Sequence, residues 1–170
     1  WNLKVIQSFW SKPIIDELNR SSSSDNIFCD NIKYKPIWLS WILNNYLLNL
    51  KYDITLFTDS VSANFLVDIL GLKFKNIVRE FDNFDYPSYL WALGKIRALS
   101  LQSSPFIHID NDVFLFDGIP ENLLDKDVFV QSKEPIEEFY PVDYFESLSP
   151  KLSDEWIEYR QSGIDIAMNT

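Results

Sequence analysis

Short apolar segments rich in β-branched and aromatic residues alternate with helical patterns along the chain, and this alternation constrains the fold more than any other feature. The strand-like segments cover residues 3–9, 53–59, 76–81, 106–116 and 127–132. Such alternation predicts an α/β fold, in the form of a three-layer α/β/α sandwich around a mostly parallel, Rossmann-like sheet.

Helical patterns lie between these strands. The first begins at Pro36, which suits the first turn of a helix because proline has no N–H to satisfy there. Ser60 is a candidate N-cap for the second, and Gly71 ends it. The predicted helices cover 36–52, 60–72 and 88–102, with an amphipathic helix at 149–162, whereas segment 11–34 is expected to be irregular.

With 170 residues and 46% hydrophobic residues, the chain can bury one real core. We therefore expect a single domain over residues 1–170. The chain starts at Trp1 and stops just after an apolar run, so we expect it to be the N-terminal part of a longer protein. Trp38, Trp41 and Trp91 recur at helical spacing and are expected to lie in the core.

The formal net charge of −10 argues against nucleic acid as a partner, because phosphates need a basic face. The single cysteine, Cys29, excludes an intrachain disulfide and is expected to be a small core residue. The chain has no run of about 18 apolar residues and no signal-peptide pattern. We therefore expect a cytoplasmic protein without a transmembrane segment.

Polar residues follow several of the predicted strands. The first strand ends at Ser8, the second at Asp59, and the fourth runs into Asp110, Asn111 and Asp112. In open parallel sheets, ligands bind beyond the carboxyl ends of the strands. We therefore expect these residues to face one crevice.

Asp110 and Asp112 are two residues apart, and strand alternation would place both on one face, where they could converge on one cation. Oxygen ligands of this kind suit Mg²⁺ or Mn²⁺. The alternative is a solvated turn, because turns are rich in Asp and Asn. The apolar residues that continue after Asp112 favour the metal site. His108, between apolar neighbours, is expected to be packed and hydrogen-bonded rather than a ligand.

The stretch LGKIRALSLQSSPFIHIDNDVFLFDGIPENLL resembles the core of GT-A glycosyltransferases, particularly the glycogenin-like and galactosyltransferase-like group. That group has a helix with a basic residue, a short polar loop and an apolar strand ending in Asp-x-Asp. The match in arrangement covers roughly residues 90–130. The resemblance implies the GT-A fold and transfer of a sugar from a nucleoside-diphosphate sugar. It suggests a truncated bacterial member that acts in polysaccharide biosynthesis.

The resemblance also implies roles for the residues of this motif. Asp112 would be a direct ligand of Mn²⁺ or Mg²⁺, and Asp110 would touch the ribose, the metal or both. Lys95 matches a basic residue that contacts the donor phosphates or sugar, although a solvated lysine is equally consistent with the sequence. Asn111 would also contact the donor nucleotide or sugar.

Further donor contacts are implied outside the motif. Ser8 and Phe9 would cradle the nucleotide base, and Asp59 would bind the base or ribose, unless it caps the following helix instead. Asn169 and Thr170 resemble the start of an Asn-Ser/Thr-Gly strand end that lines the donor-sugar pocket.

The implied partners are a nucleoside-diphosphate sugar and an acceptor whose identity the sequence does not give. The resemblance places acceptor binding beyond residue 170, so this chain alone is expected not to transfer sugar, and no catalytic base is assigned. Two alternatives stay open. One is a haloacid-dehalogenase-like phosphohydrolase, although Phe114 departs from its motif, and the other is a non-catalytic domain that binds a sugar nucleotide.

Overall fold

A computed structural model describes residues 3–21, 34–135 and 166–169, with side chains described through Asn19 and from Tyr34 to Gln131. The chain divides into two compact units, Trp1–Pro120 and Glu121–Thr170. Three sequence predictions fall outside the described residues: a core position for Cys29, the helix over 149–162, and the role of Thr170.

A four-stranded, all-parallel sheet forms the centre of the first unit, with the strand order β3-β2-β1-β4. β1 pairs with β2 along its whole length, whereas its pairing with β4 covers two residues on each strand. The prediction of an α/β chain with a parallel sheet is confirmed. The strands are β1 (Val5–Phe9), β2 (Ile54–Thr58), β3 (Asn76–Val78) and β4 (Ile107–His108).

Helices connect the strands of this unit, as predicted. The second helical segment changes character, because the α-helical turns of α3 continue into a π-helix at Asn64–Ile69. Gly71 follows this helix with a φ of 71°, a left-handed conformation that suits glycine. The α-helices are α1 (Lys12–Ser21), α2 (Lys35–Asn49), α3 (Ser60–Ala63) and α4 (Leu93–Ser100).

Helix α1 lies where the sequence predicts irregular structure, so that prediction is wrong for residues 12–21. Pro13 is the second residue of α1, where its missing N–H costs no helical hydrogen bond. Ile14, Ile15 and Leu18 then lie on one face and pack in the core. This short apolar stripe stabilises the helix, whereas the neighbouring serine run made the whole segment look irregular in the sequence.

The fourth and fifth predicted strands also differ from the structure. β4 is two residues long rather than eleven, because the chain turns directly after Ile109. Residues 127–131 are not in a strand, and β5 begins only at Ser132. In the second unit, β5 (Ser132–Pro135) pairs in antiparallel fashion with β6 (Ile166–Asn169), so the strand predicted at the chain's end is present.

The core of the first unit contains three apolar clusters. The first joins α1, α2 and the α3–π segment to Leu56 of β2. The second joins Ala98 of α4 to Ile6 of β1 and Phe57 of β2. Because Leu56 and Phe57 are adjacent in one strand, their side chains point to opposite faces of the sheet. Both faces are therefore covered by apolar side chains.

The three tryptophans predicted to be buried have different outcomes. Trp38 and Trp41 are confirmed in the core, with 6% and 2% of their surface exposed. Trp91 is 66% exposed, so that prediction is wrong. It precedes Ala92, the N-cap of α4, and helical spacing therefore does not apply to it.

None of the helices within the described residues has the length and apolar character of a membrane span.

Candidate functional site

The strand order of the sheet creates a topological switch point beside β1. The chain moves from β1 outward to β2 and β3, and then crosses back so that β4 lies on the other side of β1. In open parallel sheets, this reversal opens a crevice at the carboxyl ends of the two strands that flank it. Residues after Phe9 and after His108 therefore lie at the position where such folds bind ligands.

The Asp-Asn-Asp sequence forms a tight turn immediately after β4. The Val113 N–H donates a hydrogen bond to the Asp110 carbonyl at 3.2 Å, which places Asn111 and Asp112 at the centre of a four-residue turn. The expectation that Asp110 and Asp112 share a strand face is wrong, because the strand ends at His108. A turn can still bring both carboxylates to one ligand.

A buried polar network holds this turn against the sheet. Asn44 of α2 donates hydrogen bonds to both ends of the turn, at 3.1 Å to the Asp110 carbonyl and at 2.6 Å to the Val113 carbonyl. Gln7 of β1 donates to the Asn44 side chain at 2.8 Å and to the Ile109 carbonyl at 3.2 Å. Because Gln7 and Asn44 are fully buried, these hydrogen bonds position the turn firmly.

Sequence reasoning missed this network. A signal was present, because the pair Asn44-Asn45 interrupts an otherwise apolar helical pattern. Asparagine is a poor former of helix interiors and needs hydrogen-bond partners when it is buried. Asn45 finds its partners elsewhere, in the backbone of Lys73, at 3.0 Å to the N–H and 2.9 Å to the carbonyl.

The two carboxylates of the turn have different surroundings. Oδ2 of Asp110 lies 2.6 Å from Nζ of Lys95, and both side chains are 26% exposed. Asp112 is exposed, and its carboxylate has no hydrogen bond or ion pair within the described part of the chain. The predicted proximity of Lys95 to Asp110 is present in the structure. Arg97 lies on another side of the helix and pairs with Glu80 at 2.5 Å.

His108 links the turn to β1. Its Nε2 lies 2.9 Å from Oγ of Ser8, and its Nδ1 lies 3.7 Å from Oδ1 of Asp110. Burial lowers the pKa of His108 to about 4, although the Asp110 carboxylate partly opposes this shift and the Lys95 ammonium adds to it. The expectation of a packed, hydrogen-bonded histidine is confirmed, and at neutral pH its ring is uncharged.

Asp59 is buried, and both of its carboxylate oxygens accept hydrogen bonds from backbone N–H groups. Its Oδ1 accepts a hydrogen bond from the Ser62 N–H at 2.7 Å, so Asp59 rather than Ser60 is the N-cap of α3. Its Oδ2 accepts from the Ser11 N–H at 2.8 Å, which ties β2 to the start of α1. Ser60 instead donates to Asp82, through its N–H at 2.5 Å and its hydroxyl at 2.8 Å.

Of the other predicted donor contacts, Ser8 lies beside His108 as described, and Phe9 packs edge-on against Trp38 and Trp41. The backbone of Asn169 belongs to β6 of the second unit. The structure thus brings together Ser8, Lys95 and the Asp-Asn-Asp turn. The contact of any of these residues with a donor stays a prediction.

Within the described residues, no group of three or more His, Cys, Asp or Glu side chains is close enough to hold a metal ion. The two carboxylates of the turn form a smaller set. They match the one or two carboxylates through which Mg²⁺ is usually held when substrate phosphates complete its coordination.

Searches of curated proteins and of solved structures find no significant match. A family model matches residues 3–154, which include the whole parallel sheet, Lys95 and the Asp-Asn-Asp turn. The chain therefore belongs to the DUF6734 family, a family of unknown function.

Proposed function

We propose that this chain is the donor-binding part of a GT-A type glycosyltransferase, which binds a nucleoside-diphosphate sugar with Mn²⁺ or Mg²⁺ at the Asp-Asn-Asp turn. One observation carries the proposal. The turn follows β4 at the switch point of a parallel sheet, and the buried Gln7 and Asn44 hold it there. A solvated surface turn would not need two buried polar side chains to position its backbone.

The proposed fold is the three-layer, Rossmann-like form of an α/β chain. It is supported by the apolar clusters on the two sides of β2, since α1 and α2 contribute to one cluster and α4 to the other. In such a sandwich the helices return the chain from the carboxyl edge of the sheet to the amino edge. The carboxyl edge is then the edge that binds the nucleotide.

The residues at the turn fit a divalent cation. Asp112 would hold the ion through its carboxylate, which has no partner among the described residues, and Asp110 would contribute the Oδ1 atom that does not contact Lys95. When bound, the cation would act as a Lewis acid that stabilises negative charge on the leaving nucleoside diphosphate. It would also reduce the negative charge at the turn, which in a chain of net charge −10 otherwise opposes binding of an anion.

Lys95 would lie between the Asp110 carboxylate and the donor phosphates. Its ammonium already neutralises Asp110, which lowers the repulsion between Asp110 and Asp112. A diphosphate at the turn would offer the same ammonium a second anionic partner. Lys95 would therefore bind and orient the donor without taking part in a proton transfer.

Isothermal titration calorimetry of the chain with UDP and GDP, with Mn²⁺ and with EDTA, tests the proposal. We expect binding in Mn²⁺ and a loss of affinity of at least about a hundredfold in EDTA, because the diphosphate then faces unshielded carboxylates. Asp112→Asn should have the same effect without lowering the melting temperature. Asp117→Asn, which changes an exposed carboxylate five residues on, is the matched control and should bind normally. Equal affinity in Mn²⁺ and EDTA would refute the metal site.

A further inference from the structure

The segment between β3 and α4, residues 80–91, has an unusual surface. Three of its aromatic side chains are exposed: Tyr86 by 48%, Tyr89 by 73% and Trp91 by 66%. Exposed apolar residues are normal when they are scattered, but three large exposed aromatic rings within six residues are unusual. We call these three side chains the aromatic platform.

The platform is built on an anchored loop. Phe81 is buried, and its N–H donates to the Thr58 carbonyl at the end of β2 at 3.0 Å. The Phe84 ring packs edge-on against Trp10, the residue that follows β1, with a centroid distance of 5.2 Å. The loop therefore uses two aromatic rings to hold itself to the sheet.

Successive backbone hydrogen bonds keep the outer part of the loop in shape. The Tyr86 N–H donates a hydrogen bond to the Phe84 carbonyl at 3.2 Å. The Leu90 N–H donates to the Pro87 carbonyl at 3.0 Å, and the Leu93 N–H donates to the Leu90 carbonyl at 2.9 Å. The chain thus runs through consecutive turns into α4. An ordered loop loses little conformational entropy when it binds a ligand, so its exposed rings are preorganised.

The platform lies at the same edge of the sheet as the Asp-Asn-Asp turn. Residues 80–91 leave the carboxyl end of β3 and lead to the N-terminus of α4, which then returns the chain to the start of β4. Trp91 lies two residues before Leu93, the first residue of α4. The platform therefore lies beside the start of α4, at the carboxyl edge of the sheet.

The charges of the loop narrow the choice of ligand. The chain between β3 and α4 has one arginine, Arg79, and three carboxylates: Glu80, Asp82 and Asp85. Glu80 pairs with Arg97 and Asp82 accepts hydrogen bonds from Ser60, which leaves Asp85 without a side-chain partner among the described residues. Stacking of nucleic-acid bases normally accompanies a basic groove, and binding to an anionic membrane needs basic residues beside the aromatic ones. A neutral ligand that combines apolar faces with hydroxyl groups fits better. A sugar ring is such a ligand, because its C–H face can stack on an aromatic ring while its hydroxyls donate to carboxylates.

We propose that Tyr86, Tyr89 and Trp91 form a binding platform for a neutral saccharide. Saccharide binding by the platform does not rest on the proposed function. Asp85 is exposed and its side chain has no partner within the described residues, so it is placed to accept hydrogen bonds from sugar hydroxyls.

Calorimetric titration of the 170-residue chain with neutral tetrasaccharides of glucose, galactose, mannose and N-acetylglucosamine, without nucleotide and in EDTA, tests this proposal. We expect at least one of them to bind, and we expect the double variant Tyr89→Ser/Trp91→Ser to bind it at least about tenfold more weakly. Tyr46→Ser is the matched control, since Tyr46 is 63% exposed on α2, outside the platform, and its loss should leave the affinity unchanged.

Three results would overturn the platform: no tetrasaccharide binds at millimolar concentration, the double variant binds as tightly as the natural chain, or Tyr46→Ser weakens binding equally. Sedimentation of the natural chain and the double variant could give a fourth such result. If the natural chain is a dimer and the double variant is not, the three aromatic side chains bind a second copy of the chain instead. The UDP and GDP titrations in Mn²⁺ fail or succeed independently of these results. The two proposals can therefore be refuted separately.

Discussion

Asp59 and Asp110 occupy comparable places, since each follows a strand of the same parallel sheet at its carboxyl edge, but their surroundings differ. Both oxygens of Asp59 accept backbone N–H groups, and its side chain is buried. Asp110 has one oxygen on Lys95 and remains partly exposed, and Asp112 beside it has no partner among the described residues. A carboxylate that already accepts backbone hydrogen bonds is structural, whereas one with an unused oxygen can take a ligand.

The supports of the two regions differ as well. The Asp59 carboxylate itself connects β2 to α1 and α3 through its two hydrogen bonds. The carboxylates of the Asp-Asn-Asp turn have no such structural role, because hydrogen bonds from the buried Asn44 and Gln7 hold the backbone of the turn. Substitution of Asp110 or Asp112 should therefore leave the backbone conformation of the turn unchanged. The following predictions test this division, from the largest expected effect to the smallest.

Asn44→Ala should lower the free energy of unfolding by about 3 kcal/mol, because it removes three hydrogen bonds and leaves buried polar groups without partners. Urea denaturation measures this change. Asn49→Ala on the same helix is the matched control, since Asn49 is exposed and should cost less than about 1 kcal/mol. Equal losses for the two variants would show that the buried network does not hold the turn.

Asp59→Ala should lower the free energy of unfolding by about 2 kcal/mol, since it removes the N-cap of α3 and leaves the Ser11 N–H buried without an acceptor. Asp112→Ala, at the contrasting site, should change stability by less than about 0.5 kcal/mol. Thermal and urea denaturation of both variants provide the comparison. A larger loss for Asp112→Ala would reverse the roles assigned to the two regions.

The stability of the chain should fall as the pH drops from about 6.5 toward 4. Burial lowers the pKa of His108 to about 4 in the folded chain, while the unfolded chain takes up the proton near pH 6.5. The unfolded state therefore binds more protons in this range, and stability decreases by about 1 to 2 kcal/mol between pH 6.5 and 5. Urea denaturation in EDTA at a series of pH values measures the slope.

His108→Gln removes the titrating ring, so its stability should depend less on pH between 6.5 and 5 than that of the natural chain. The carboxylates contribute equally to both slopes, and the difference between them isolates the histidine. Identical slopes would mean that His108 takes up its proton equally well in the folded chain.

Lys95→Met should lower the free energy of unfolding by less than about 1 kcal/mol, because the Lys95–Asp110 pair is partly exposed to water. It should nevertheless weaken UDP binding in Mn²⁺, since it removes a cation beside the proposed phosphate position. Lys75→Met breaks the exposed pair with Asp53 and is the matched control, with no expected effect on binding. Normal UDP affinity in Lys95→Met would remove Lys95 from the proposed donor site.

Local sequence patterns predicted much of the fold. The apolar, β-branched segments gave the positions of β1 and β2, and the Pro36 start identified α2. The same reasoning failed at α1, at the length of β4 and at Trp91. The serine run led to an irregular prediction over α1, the apolar pattern of β4 continued beyond the end of the strand, and the helical pattern around Trp91 began before α4 does.

The sequence by itself determined the alternation of strands and helices and placed the Asp-Asn-Asp sequence in a strand-like apolar segment, but it did not predict the turn. The tertiary structure decided which carboxylates are used by the fold, because the deciding hydrogen bonds join residues far apart in the chain: Ser11 with Asp59, 48 positions apart, and Asn44 with Asp110, 66 positions apart. Propensity and periodicity act over a few residues, whereas these contacts exist only once the sheet has brought its strand ends together.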